Sequence, residues 1–247
     1  GGCGGAGCAS RVAARGGVGA AGAVGVVVRA GKWGKVRGGD VGRRVGLRIA
    51  RLIVGTNEND VLNEFFLTGR YRPRVATETH ATSSPSMHIS KASNFERYAF
   101  DLAGRDPEQF GELWRRLQRD SQFALADTPM WPRVRATGFV SGKSTHADRL
   151  ATIRDVHRRF DALIDPHTAD GIKVGREFRD AGVPLICLET ALPAKFAATI
   201  REAVGIEPPR PVAFADLEAL PQRCTVLPAD AAQVAAFIAA HVGTPVA

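Results

Sequence analysis

Two short β-branched runs, Val24–Val28 and Ile49–Val54, flank a glycine-rich turn and a weakly helical stretch that ends near Val45. This order of strand, turn, helix and strand constrains the chain more than any other feature. A crossover of that length joins parallel strands, and a parallel sheet is stable when helices cover both faces. Val183–Leu188 is a third apolar run of buried-strand type. Capping and periodicity predict helices over Val61–Leu67, Ser93–Ala103, Pro107–Leu117, Ala147–Leu163, Thr168–Ala181, Pro193–Val204 and Ala231–His241. Asp60, Ser93 and Thr168 are the expected caps. Arg133–Val140 and Cys224–Leu227 predict two more strands. Tyr71–Ser90 has no periodicity and is rich in Thr, Ser, Pro and Arg, so a long loop of functional type is expected. The fold class is α/β, with further strands of the sheet expected upstream.

The net charge of +8 suggests a polyanion partner until it is located. Residues 1–50 hold nine Lys or Arg against Asp40 alone, and the remaining residues balance at 24 basic and 24 acidic side chains. Sixteen of the 27 glycines also lie in that first stretch. Glycine at this density raises the entropic cost of ordering and offers little to bury, so residues 1–23 are expected to be a disordered low-complexity segment. It reads either as a loose arm or as GC-rich coding sequence translated from the wrong point or frame. With no aromatic before Trp33 to stack on bases, a nucleic-acid partner is not expected. Cys3, Cys8, Cys187 and Cys224 form no CxxC pair, no histidines have metal-ligand spacing, and no metal is expected. Cys187, in an apolar run, is expected to be a buried thiol. No run suits a signal peptide or a membrane helix, and the expected location is the cytoplasm.

Three constellations can carry chemistry. The GKWGK stretch at 31–35 follows a strand and precedes a helix, where backbone N–H groups attract an anion, though such a glycine pair is more often an ordinary turn. Thr190 ends the third apolar run, at the edge where ligands bind in open α/β sheets; it is also a natural helix cap ahead of Pro193. His167 is a possible acid, base or ligand, but Thr168 as a cap makes it incidental.

Five blocks occur in order: TNEND at 56–60, SPSM at 84–87, SNFER at 93–97, DPHT at 165–168 and ETALPAKF at 189–196. With the turn at 31–35 they closely resemble the C-terminal half of the threonine synthases, pyridoxal-phosphate enzymes of fold type II. The resemblance implies a partial three-layer αβα parallel-sheet domain over residues 24–247, with pyridoxal 5′-phosphate as cofactor. It aligns Gly31, Lys32, Trp33, Gly34 and Lys35 with the family's cofactor-phosphate cup, and Thr190 with the residue bonded to the pyridine nitrogen. Asn57, Asn94 and Arg97 become substrate-side candidates, and O-phosphohomoserine the implied substrate, converted with water to threonine and phosphate. The chain departs from the family at the cup, where two Asn/Asp positions are Lys32 and Lys35 and the aromatic is Trp33. His88 replaces an aspartate. The family's Schiff-base lysine lies in an N-terminal half not found here, and none of Lys32, Lys35, Lys91, Lys143, Lys173 and Lys195 has its Phe-Lys-Asp context. An isolated chain is therefore expected to be inactive and to need that half as partner. The alternative is a non-catalytic binding module whose basic arm meets anionic partners.

Overall fold

The computed structural model describes residues 23–29, 33–87, 91–189 and 191–242. The glycine-rich start, Gly31, Lys32, His88 and Thr190 therefore lie outside the described residues. Strand β1 (Val24–Arg29) leads through the turn into helix α1 (Trp33–Arg44), then β2 (Ile49–Thr56) and α2 (Val61–Thr68). A small antiparallel ribbon pairs β3 (Arg70–Tyr71) with β4 (Phe123–Ala124) around α3 (Phe95–Leu102) and α4 (Pro107–Asp120). After them come α5 (Met130–Ala136), β5 (Phe139–Lys143), α6 (His146–Phe160), α7 (Pro166–Glu177), β6 (Leu185–Cys187) and α8 (Ala197–Val204).

The main sheet has the order β5-β2-β1-β6 and every pairing is parallel. Alternation along the strands sorts their side chains to two cores. Val24, Val26, Val28, Leu52 and Val54 join Trp33, Val36, Phe65, Phe66, Phe95 and Tyr98 on one face. Val27 and Ile53 meet Val174 of α7 on the other. A further cluster, including Ile153, Val156, Ala169 and Ile200, welds α6, α7 and α8 together. The result is helix, sheet, helix in three layers.

Glycines in α1, where they weaken the helical pattern of the sequence, and in α7 let these helices approach the sheet closely. A Cβ on Gly39 would stand 2.8 Å from Leu52 Cδ2, and one on Gly175 would stand 2.6 Å from Val27 Cγ2. Three arginines of α1 are likewise engaged within the fold. Arg37, Arg43 and Arg44 converge on the buried Asp40 at 2.9, 3.3 and 3.0 Å, so much of their charge is balanced locally.

Several boundaries differ from expectation. Residues 130–136 form a helix that Gly138, with φ of 68°, terminates before β5, so the strand expected at Arg133 begins only at Phe139. Cys224–Leu227 pairs with no strand among the described residues, and Val226 is 92% exposed. The cap before α3 is Asn94 rather than Ser93, and α7 is capped by Asp165, whose Oδ1 accepts the His167 N–H at 3.0 Å. Cys187 is half-buried, because β6 is an edge strand among the described residues. Residues 210–247 form a second compact unit, whose described part has a 3-10 turn at Val212–Phe214 and helix α9 (Ala231–His241). No helix among the described residues is long and apolar enough to cross a membrane.

Candidate active site at the carboxyl edge

Because the four strands are parallel, their carboxyl ends share one edge, and the segments leaving those ends are gathered there. After β1 comes the start of α1. The Trp33 indole is fully buried among Phe66, Phe95, Tyr98 and Phe139, with ring centroids 5.0–5.8 Å away, and this fixes the start of α1 against the core. Its backbone N–H donates to the Ser93 carbonyl at 3.1 Å, tying the start of α1 to the SNFER block. Among the described residues, a Cβ built on Gly34 would find only Asn94 Nδ2 within 4 Å, at 3.9 Å. Asn94 has φ of 70°, a left-handed conformation that asparagine tolerates better than most residues. Its side chain makes no capping bond. Among the described residues, a helix N-terminus, a space over a glycine and a carboxamide with no capping bond thus lie side by side.

After β2 come Asn57, Glu58 and Asn59, which hold the segment 80–86 across the same edge. Asn57 is fully buried; its Nδ2 donates to Thr82 Oγ1 at 2.9 Å and Ser84 Oγ at 3.0 Å. Asn59 pairs with the backbone of His80 in both directions at 2.9 Å. From the first turn of α6, the buried Arg149 donates to Ser83 Oγ at 2.8 Å, to both oxygens of Glu58 at 2.8–3.1 Å and to Asp170 Oδ1 at 3.0 Å. From the first turn of α7, His167 Nε2 accepts the Ser86 N–H at 3.0 Å, while Nδ1 lies 2.7 Å from Asp165. These contacts fix the tautomer: Nδ1 carries the proton and Nε2 is an acceptor.

Charge in this network is unequal. Burial pushes Glu58 and Asp165 up, but the Arg149 guanidinium for the first, and His167 and Thr168 for the second, outweigh it and hold both below the usual range. Asp170 is fully buried and its carboxyl is pushed up to about 7, burial overcoming the pull of Arg149, Ser144 and Ser84. Asp170 Oδ2 and Ser144 Oγ both lack a well-formed hydrogen bond, although the hydroxyl is near enough to favour the carboxylate. A proton on Oδ2 turns that acceptor into a donor toward its neighbours. Glu189, at the end of β6, is raised by desolvation and by the charge of Asp165.

Residues 168–238 match the family model described as "Threonine synthase, C-terminal". The chain is 52% identical over 219 residues to the threonine synthase of Methylobacillus glycogenes, covering 89% of this chain and 46% of that protein. With the threonine synthase of Corynebacterium glutamicum the identity is 53% over 213 residues, covering 85% and 44%. The chain closely resembles the C-terminal half of the threonine synthases. A crystal structure of PLP-bound threonine synthase from Brucella melitensis superposes with a TM-score of 0.80 at 36% identity, over 90% of this chain and 47% of that one. The yeast threonine synthase gives 0.76 at 27% identity, over 87% and 47%. The chain thus spans about half the length of the relatives it matches.

Set on the threonine synthase framework, the sequence candidates separate. Gly34 and Asn94 come together, and Trp33 serves as the anchor beneath them. Lys35 is exposed in the first turn of α1. Asn57 has both amide hydrogens engaged by the 80–86 segment, so it shapes the site through that segment. Arg97 is exposed and, with Arg37, Phe100 and Phe110, lines a cleft of about 460 Å³ beside α3. Gly31, Lys32 and Thr190 lie outside the described residues. Arg149, Asp170 and the bonded role of His167 escaped the sequence reading. Arg149 stands in an ordinary charged helix turn, and only tertiary packing shows that it is buried.

Proposed function

We propose that this carboxyl edge binds pyridoxal 5′-phosphate and forms one wall of a threonine synthase site, where O-phosphohomoserine and water become threonine and phosphate. The observation that carries this reading is the juxtaposition of Gly34 and Asn94 at the start of α1. The residues there fit a phosphate. N–H groups in the first turn of a helix lack intrahelical acceptors, the helix end carries partial positive charge, and the missing Cβ at Gly34 leaves room for close approach. The Asn94 carboxamide adds a donor at the same place. Lys32 and Lys35 add attraction in place of the amide contacts of the family, and Thr190 is the proposed donor or acceptor toward the ring nitrogen.

When bound, the cofactor supplies an electron sink for chemistry at the carbons of the substrate amino acid. The chain's own residues bind and orient. Trp33 anchors the start of α1, Asn57 and its neighbours set the 80–86 segment against the edge, and Arg97 is the proposed basic contact for the substrate phosphate. The lysine that would hold the cofactor and move protons is not among the six here, so the chain is proposed to bind ligand and to need the other half of the fold for turnover.

Binding is measured by calorimetry with pyridoxine 5′-phosphate, which lacks the aldehyde and so does not react with surface lysines. Loss of one hydrogen bond to a charged phosphate, in Asn94→Ala, is expected to weaken affinity ~10-fold. Gly34→Val should abolish binding by filling the cradle. Equal affinity in all three proteins overturns the assignment.

A further inference from the structure

Five side chains from three parts of the fold reach one short segment. The tail of β2 supplies Asn57 and Asn59, the start of α6 supplies His146 and Arg149, and the start of α7 supplies His167. Their targets span most of that segment: the His80 backbone, Thr82 Oγ1, Ser83 Oγ, Ser84 Oγ and the Ser86 N–H. A loop needs far fewer tethers merely to be ordered. We propose that Arg149 and His167 are positioning residues, which hold Thr82–Ser86 as a fixed wall of the ligand site from beneath; this rests on the functional reading above.

Arg149 has the chemistry for the task. Its rigid fork is locked by the two Glu58 oxygens and by Asp170, which leaves Nε aimed at Ser83 with little freedom to lose. Ser83 accepts that hydrogen and is left to donate its own to His146 Nδ1, 2.7 Å away, while His146 Nε2 meets Glu202 at 2.9 Å. A bonded relay therefore runs from Glu58 at the strand end, across the segment, to α8. His167 works at the other end. Its proton is held on Nδ1 by Asp165, so the unprotonated Nε2 accepts from the Ser86 backbone, and the Phe196 ring packs on the imidazole at 4.7 Å. Phe196 closes the ETALPAKF block that contains Thr190. His167 thus joins the SPSM block to the segment proposed to reach the cofactor ring, which gives DPHT, otherwise only a helix start, a role at the site.

The test uses the 247-residue chain alone and in assembly with the separately produced N-terminal half of the Methylobacillus glycogenes threonine synthase. In the chain alone, His167→Ala and Arg149→Gln are expected to speed amide exchange of residues 82–86 by ~10-fold or more, as a lost bond to a buried partner implies, while β1 and β2 keep their protection. His167→Gln, whose side-chain oxygen can accept the Ser86 N–H, should restore most of it. In the assembly, pyridoxal 5′-phosphate with O-phosphohomoserine should protect 82–86 further, and His167→Ala should lower kcat more than it raises KM. Unchanged exchange at 82–86, or exchange that rises equally in β1 and β2, overturns the proposal. So does an assembly that makes threonine without protecting 82–86, which leaves the functional reading intact. An assembly that binds neither ligand overturns that reading, and the proposal with it.

Discussion

At the scale of single residues, Asp170 and Glu58 compete for one guanidinium, and the outcome sets a pH dependence. Asp170 in the fold sits at about 7 against an ordinary 3.8, because burial disfavours its charge. A raised carboxyl stabilises the fold fully below its unfolded value and loses that contribution as pH rises through the folded one. Stability should therefore fall between pH 4 and pH 7, by at most about 4 kcal/mol from a shift of this size. Glu58 and Asp165 are lowered, so their contributions are lost only as pH falls below the ordinary carboxylate range, outside that window. Asp170→Asn keeps an acceptor for Arg149 and removes the charge. Urea melts across this range should show a clear slope in the parent chain and a flatter one in Asp170→Asn. A parent chain as stable at pH 8 as at pH 5 would refute the account. None of this was legible in the sequence: Asp170 and Arg149 are 21 positions apart and ordinary in composition. By contrast, a helix start near 165–168 was legible as local chemistry, although the cap is Asp165 before Pro166 and not the expected Thr168.

At the scale of elements, glycine is the instructive case. Gly to Ala inside a helix ordinarily gains up to ~1 kcal/mol from the unfolded state. At Gly175 the added methyl would meet Val27 Cγ2 at 2.6 Å and Leu185 Cδ2 at 2.9 Å, both in the core between α7 and the sheet. Overpacking of that kind costs about 1–3 kcal/mol, so Gly175→Ala is expected to destabilise on balance and to lower the melting temperature. An increase would show that α7 shifts freely on the sheet. The same close approach explains why α1 forms in spite of Gly34, Gly38, Gly39 and Gly42, four residues that made its sequence pattern weak. Strands were easier to recognise, because β-branched runs such as Val26–Val28 and Leu52–Val54 are apolar on both faces and fit only a covered sheet. Arg133–Val134 misled, since one buried valine between arginines suits a strand or a helix, and packing of Val134 decided for α5.

For the molecule as a whole, β6 poses the remaining question. Leu185 and Cys187 serve one core and Ile186 and Leu188 the other, as in an interior strand, yet all four are only half-buried. An edge this apolar is suited to a further strand. Mixing the chain with the N-terminal half of the Methylobacillus glycogenes relative should raise its melting temperature by roughly 2–4 °C, the shift expected for a chain of this size when binding adds a kcal/mol or so. Labelling of Cys187 by a thiol reagent, mapped by mass spectrometry, should slow in parallel. Labelling at the same rate with and without the partner would sink the idea. Taken alone, the sequence determined the α/β class, the parallel order of β1 and β2, the blocks shared with threonine synthases and the imbalance of charge. All of these depend on local periodicity or on contiguous motifs. Only the tertiary structure decided that Asn94 stands beside Gly34, that Asn57 faces a loop, and that Arg149 and His167 lie buried beneath Ser83 and Ser86. Those facts depend on which helix starts are carried to one edge when parallel strands align, and no short stretch of sequence contains that geometry.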